Sequence, residues 1–450
     1  MKVVKFGGSS VADAKQISRI IDIVVSDPSR RVVVVSAPGK RHGEDTKVTD
    51  LLIALAHIVL GGGDYETALQ AVVARYAEIQ RDFDLPESVT QTIEADLRSR
   101  IETRIDNDLQ FMDTMKAAGE DNNAKVIAAA FVKKGFAAKY LNPGEVGMLL
   151  SDEFGNAEVL PESFERLAKL ENESEIIIFP GFFGSTKAGE VATFPRGGSD
   201  ITGAILAAAL KAEVYENFTD VDSVYAMDPR LVPSAPALEE MTYREMRELS
   251  YAGFGVFHDE AIVPAVHANI PICIKNTNRP EALGTLVTPT REVAENEIVA
   301  GIASADGFCA IYIDKYMMNR EVGFGRRLLQ ILEEENISYE HTPSGIDSIS
   351  VILKSSELSD DKETLVINRI QSELDPDAVA VEHGLALIML VGEGMYYAIG
   401  NAGHATTALG DAGINLEMIN MGASEISIMI AVKETDHQKA IHALGKSFFG

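Results

Sequence analysis

Two short segments of this sequence place cationic side chains next to glycine-rich turns, a combination suited to holding phosphate, and a third could hold a nucleotide. The first is Lys5-Phe6-Gly7-Gly8-Ser9-Ser10, between the apolar run 3–6 and a helical pattern carried by Ile17, Ile20, Ile21 and Val24. Glycines at a strand-to-helix turn let backbone N–H groups approach a phosphate, and the helix N-terminus adds partial positive charge. A plain turn with a surface lysine satisfies the same residues. The second segment is Phe194-Pro195-Arg196-Gly197-Gly198-Ser199-Asp200, opening a helical pattern over 201–210. Arg196 offers a planar fork for a carboxylate or phosphate, and Asp200 fits either a helix cap or a partner for a catalytic lysine and a metal. The third, Thr219-Asp220-Val221-Asp222-Ser223-Val224-Tyr225-Ala226-Met227-Asp228-Pro229-Arg230, follows a strand and supplies an aromatic ring and an arginine for a nucleotide. There is no GxxxxGK[ST] pattern, and Gly323-Phe324-Gly325 and Gly392-Glu393-Gly394 lack the third glycine of a dinucleotide turn.

The elements that position these segments alternate strand and helix. Residues 31–36 read as a buried parallel strand, so strand, crossover helix and strand imply a sheet covered on both faces. Long helical patterns occupy 49–131. Strand character returns at 136–141, 175–182, 212–218 and 270–275. Glu120 is expected just before a helix over 125–134. Polar, acidic sequence after Gly284 reads as a linker. The remaining residues look like a weak duplication of a βαββαβ unit. Its first copy has strands at 308–313, just before Ser344, and at 348–354, with helices at 325–335 and 361–374. The second has strands at 385–391, 415–419 and 425–432, with helices at 402–412 and 436–444.

Composition narrows the class. A chain of 450 residues with 46% hydrophobic and 24% charged residues reads as two or three soluble domains. Its formal net charge of −28 disfavours nucleic acid or an anionic membrane as a partner. Cys273 and Cys309 lack zinc or disulfide spacing and read as buried, reduced thiols. With no apolar run of about 20 residues and no signal-peptide pattern, a cytoplasmic protein is expected.

In order and spacing, KFGGSS, FPRGGSD and TDVDSVYAMDPR resemble the aspartate kinase family of the amino-acid kinase fold. GEGM (392–395) and AGINLEMINMGASEISI (412–428) resemble its second ACT-type sensor unit. The resemblance covers the whole chain. It implies a three-layer α/β/α kinase domain with a mainly parallel sheet over 1–290, a linker over 291–305, and βαββαβ ACT units over 306–378 and 384–450. It places phosphate at Lys5, Gly7, Gly8 and Ser9, and the rest of ATP at Thr219, Asp220, Tyr225 and Arg230. L-aspartate falls at Ser36, Thr49, Glu120, Arg196, Gly197, Gly198 and Ser199, with Arg196 on its α-carboxylate and Glu120 on its ammonium. Asp200 is the organising carboxylate beside Lys5. Mg²⁺ is expected on the ATP phosphates, with no direct protein ligand.

Gly255 stands where many relatives carry an adenine-side lysine, and Ser223 where a glycine is common. In the sensor half, Met318, Gly323, Gly325, Glu340, Ser344, Asp347 and Ser348 are the expected effector residues. Two acidic residues favour lysine over threonine as the inhibitor. A homodimer through the ACT units, or a tetramer, is implied, as is a place at the first step of lysine, threonine and methionine biosynthesis. His258 and His267 are expected to be structural, since a carboxylate nucleophile needs no base at neutral pH. Another amino-acid kinase and a non-catalytic amino-acid sensor are the competing readings. A fused homoserine dehydrogenase is not expected in 450 residues.

Overall fold

The structure is a computed structural model. It describes residues 1–450 except 104, 255–258, 294–296 and 423–424, with 259 and 260 described by their backbone only. Gly255 and His258 therefore lie outside the described residues. The chain forms two compact units. The first comprises Met1–Val224, Ala237–Met246 and Gly255–Arg291; the second comprises Tyr225–Pro236, Arg247–Phe254 and Glu292–Gly450. The division is thus not a single cut near residue 290.

The first unit is built on an eight-stranded sheet. Its centre and one edge are β1 (Lys2–Phe6), β2 (Arg30–Val35), β4 (Ile176–Pro180) and β3 (Ala138–Tyr140), in that spatial order. Val214–Thr219, Ile272–Asn276, Thr285–Thr288 and Glu240–Thr242 follow in turn on the other side of β1. The pairing is parallel except between Ile272–Asn276 and Thr285–Thr288. Val32, Val33, Val34 and Val35 are all fully buried, as a β-branched strand between two helical layers should be.

Alternation along β1 and β2 sends Val4, Phe6, Val33 and Val35 to one face. There they join Ile17 and Ile21 of α1 (Ala14–Val25), Leu52 of α2 (Val48–Leu60) and Ala124 in one core. Asp13 caps α1 by accepting from the Gln16 amide at 2.8 Å. On the opposite face the helix Gly198–Ala209 packs across β1, β2 and Val214–Thr219. The first face continues through α3 (Glu66–Asp82), α4 (Ser88–Glu102) and α5 (Asp108–Lys133).

α5 corrects the expected helix start. It runs unbroken through Gly119, Glu120, Asp121, Asn122 and Asn123, all of them buried. That polar string reads as a helix boundary, yet tertiary contacts hold it: the Tyr76 hydroxyl donates to Gly119 O at 2.9 Å, and Asn123 Nδ2 to Ser36 O at 2.7 Å.

The second unit contains a five-stranded antiparallel sheet in the order Ser348–Lys354, Gly301–Asp314, Ala378–Val391, Ser427–Lys433, Met418–Met421. The central strands are 14 residues each, about twice the expected length. They pair from Gly301 with Val391 to Asp314 with Ala378, interrupted by a bulge between Ala305 and Phe308. The two sensor copies therefore share one sheet, and strand begins at Gly301 within the segment expected to be linker. The strand expected before Ser344 is reduced to isolated bridges, His341 with Ile352 and Ser344 with Ile349. Helices Phe324–Glu334 and Asp360–Leu374 cover one half of the sheet, and Asn401–Asp411 and His437–Phe449 the other. Cys309 is buried but Cys273 only half-buried, because it falls on the more open side of its alternating strand.

Candidate active site

The C-terminal ends of β1 and β2 open onto a cavity of about 370 Å³ in the first unit. Parallel sheets commonly bind ligands here, because the chain leaves the strand ends in loops and helix N-termini. Gly8 and Ser9 line it from the first glycine turn; Ser36, Ala37, Pro38 and Gly39 line it from the end of β2. Lys40, Lys47 and Thr49 come from the following loop and the start of α2, Glu120 from α5, and Asp220 from the end of Val214–Thr219. The two turns interlock. Gly39 N donates to Gly8 O at 2.8 Å, and a Cβ on Gly39 would stand 2.6 Å from the Gly8 carbonyl carbon. Only glycine permits that approach.

Glu120 is the cavity's most unusual group. It is 6% exposed, and among the described residues its Oε2 has no hydrogen-bond partner. Burial pushes its carboxyl up to about 8, with the Ala37 backbone amide pulling weakly the other way. A buried carboxyl with one oxygen left unpartnered beside an open cavity suits an incoming cationic group. The neighbouring Asp121 points into a separate network. It accepts from Arg100 at 2.6 Å and Lys125 at 2.9 Å, and from the Tyr140 hydroxyl, tying α5 to α4 and β3.

Lys5 and Asp200 form an ion pair at 2.7 Å, both largely buried. The Asn217 amide donates to the same Asp200 oxygen. Asn217 sits opposite Lys5 in the β1 register, so the sheet itself assembles this trio. A Cβ on Gly7 would lie 3.7 Å from Lys5 Nζ, which sets the amine beside the first glycine turn. Gly197, at φ +85°, adopts the left-handed conformation that begins the helix Gly198–Ala209. Gly198 and Ser199 are buried at that turn and Arg196 is exposed; none of the three lines the cavity.

Of the expected site residues, the cavity thus gathers Gly8, Ser9, Ser36, Thr49, Glu120 and Asp220. Lys5 and Asp200 lie together beside the first turn. Thr219 Oγ1 donates to Asp220 at 3.2 Å. Tyr225 and Arg230 belong to the second unit. There Tyr225 packs half-buried near Met227, and Arg230 is spread on the surface against Asp228. Sequence reasoning missed Lys40, Lys47 and Asn217. A glycine-lysine loop directly after a buried parallel strand was the available signal for the lysines. Asn217 carried none, since its role depends on strand register.

Within the second unit, Met318 opens a short 3-10 turn, and Gly323 at φ +84° begins the helix Phe324–Glu334. Asp347 accepts from the Met317 amide at 2.8 Å, and Asn319 N donates to Ile346 O at 3.1 Å, so the 318 and 347 segments adjoin. Ser348 starts its strand, and Ser344 bridges to Ile349. Glu340 is held by the Tyr251 hydroxyl and lies 3.7 Å from Lys354. His267 is exposed at the end of a short helix.

Residues 1–276 match the Amino acid kinase family and residues 388–448 the ACT domain. The chain is 54% identical to Aspartokinase 3 of Bacillus subtilis (strain 168), over 100% of this chain and 99% of that protein. The aspartate kinase of Clostridium acetobutylicum superposes with a TM-score of 0.89 at 34% identity, covering 100% of both chains. E. coli aspartokinase III, solved with aspartate and ADP, superposes at 0.79 with 28% identity, again over 100% of both chains. Solved with lysine and aspartate, the same enzyme gives 0.77 at 27%. A phosphate-type turn, a lysine held by an aspartate, and a sensor sheet thus occur in a chain matched end to end by such enzymes, and the chain belongs to the aspartokinases, kinases of the amino acid kinase family with ACT sequence in their C-terminal part.

Proposed function

We propose that this aspartokinase transfers the γ-phosphoryl group of ATP to the β-carboxylate of L-aspartate, giving 4-phospho-L-aspartate and ADP. A β-carboxylate oxygen attacks the γ-phosphorus, and the bond to the β,γ-bridging oxygen breaks with its electron pair leaving on ADP. The nucleophile has a reference pKa near ~3.9 and needs no base. What opposes the step is the repulsion of anions, so the protein must position the groups and supply positive charge. Lys5, aimed by Asp200 and Asn217, stands beside the turn whose Gly7, Gly8 and Ser9 cradle phosphate. Thr219, Asp220, Tyr225 and Arg230 serve the rest of the nucleotide. Ser36, Thr49 and Glu120 receive aspartate, with Glu120 on its ammonium. Arg196 takes the α-carboxylate, and Gly197, Gly198 and Ser199 shape that turn.

Among the described residues no three His, Cys, Asp or Glu side chains cluster as metal ligands, and Asp200 is already engaged. Mg²⁺ would be carried in on ATP, where it would neutralise phosphate charge. The observation that carries this reading is the buried Glu120 carboxyl, with Oε2 unpartnered among the described residues, in the cavity beside Gly8 and Ser9. ADP release from MgATP with aspartate, glutamate or acetylglutamate tests it; equal or greater turnover with either alternative acceptor defeats aspartate as substrate.

We further infer feedback inhibition by an end-product amino acid, lysine in preference to threonine, at Met318, Gly323, Gly325, Glu340, Ser344, Asp347 and Ser348. Support comes from the E. coli enzyme solved with lysine and from the adjoining 318 and 347 segments. The edge strand Met418–Met421 leaves a sheet edge for a second copy, which favours a dimer through this unit. Among the described residues no helix is long and apolar enough to cross a membrane.

A further inference from the structure

The rim of the cavity between Pro38 and Val48 is Gly39-Lys40-Arg41-His42-Gly43-Glu44-Asp45-Thr46-Lys47, and its shape is fixed from beneath. Arg75 of α3 is 6% exposed and donates to Gly39 O at 2.8 Å and Thr46 O at 2.7 Å, one carbonyl at each end of the loop. Its charge meets Asp45 at 3.3 Å. Asp45 in turn accepts from the Arg41 amide at 2.9 Å, from Nε at 2.8 Å and from Nη2 at 2.9 Å. Arg41 also pairs with Glu78. Val48 N closes the base on Pro38 O at 3.0 Å.

This bracing leaves a definite charge pattern. Arg41 and Arg75 are committed to carboxylates, and Lys5 to Asp200 at 2.7 Å. Lys40 and Lys47 line the cavity and have no ion-pair partner among the described residues; Lys40 reaches only the Gly43 carbonyl, at 3.4 Å. The other titratable groups on the cavity are the carboxyls of Glu120 and Asp220, which add no positive charge. A polyphosphate therefore enters a site whose only uncommitted cavity-lining cations, among the described residues, are these two lysines. A rigid loop that presents them needs no reorganisation when negative charge arrives.

We propose that Lys40 and Lys47 bind the γ-phosphoryl group of ATP during transfer, and that Arg75 is a positioning residue that holds their loop in place. This rests on phosphoryl transfer at the cavity, so wild-type turnover is measured in the same assay. Both lysines are exposed, and their replacement leaves the core intact. In the K40M/K47M variant kcat/KM for ATP falls at least about tenfold while the melting temperature stays unchanged, and K40R/K47R recovers to within about threefold. Isothermal titration gives a readout independent of turnover: K40M/K47M loses affinity for MgATP but keeps that for MgADP. Arg75→Lys retains the charge but cannot span both carbonyls. It lowers kcat/KM in the wild-type background and adds nothing in K40M/K47M, the non-additivity of residues acting through one another. Wild-type turnover together with an unaffected K40M/K47M, or equal MgATP affinity in the two proteins, overturns the lysine assignment. An equal Arg75→Lys loss in both backgrounds reduces Arg75 to a structural role. No wild-type turnover with aspartate defeats the proposed reaction instead, and the MgATP titration still decides the lysines.

Discussion

Glu120→Gln should make the protein more stable and the enzyme worse, and the size of the first effect follows from the structure. The carboxyl sits at about 8 in the fold against 4.5 in the unfolded chain. As pH rises, the unfolded chain releases this proton first while the folded state retains it, so the group's contribution, full below 4.5, is lost as pH climbs through 8. At about 1.4 kcal/mol per pH unit, the wild type should lose about 3 kcal/mol between about pH 5.5 and pH 8 through this group alone. Glutamine does not titrate and is nearly isosteric, so the variant should lack that slope. Urea unfolding followed by circular dichroism at both pH values measures it; the chain has no tryptophan to report by fluorescence. In parallel the aspartate KM of the variant should rise about tenfold or more, since a charge-assisted hydrogen bond to the substrate ammonium is gone. A stability difference between variant and wild type that does not change with pH would refute the reasoning, because it would mean that Glu120 is ionised in the fold.

Other outcomes follow from the same geometry. Lys5→Met should cut turnover by a factor of about 10³, measured by ADP release, since among the described residues Lys5 is the cation that Asp200 holds beside the glycine turn. Arg100→Met removes one of the two cations that meet buried Asp121, leaving Lys125 at 2.9 Å, and should cost about 1–3 kcal/mol in urea unfolding. Gly39→Ala drives a Cβ to 2.6 Å from Gly8 and must displace the phosphate turn; a destabilisation of about 1–3 kcal/mol and a raised ATP KM are expected. Lysine should inhibit at lower concentration than threonine, and Asp347→Ala should weaken that inhibition while leaving uninhibited turnover within about twofold.

The kinase sheet was legible because its signals are local. Val32 to Val35 cannot sit anywhere but between two layers, and Lys5 to Ser10 follow a strand directly. Glu120 was reachable only through family likeness, because its neighbours Gly119, Asp121, Asn122 and Asn123 have poor helix propensity and the stretch is held in α5 by groups far away in sequence. Asn217 depends on a register spanning more than two hundred residues, and Lys40 and Lys47 on a loop with no periodicity to read. In the sensor half, Gly307 at φ +80° and Gly384 at φ +72° break the strand pattern at the bulge. Single strands running through both halves therefore looked like two separate ones. The strand before Ser344 failed for another reason: its residues reach the neighbouring strand at isolated bridges, too few to make a ladder.

The most direct test of the account is ADP release from MgATP by the purified full chain, with L-aspartate, with glutamate and with no acceptor. Turnover that requires aspartate, and that falls about a thousandfold in Lys5→Met while the protein stays folded, is the expected result. Aspartate-independent ADP release, or a Lys5→Met enzyme as fast as the wild type, would contradict the assignment of this cavity to aspartyl phosphorylation.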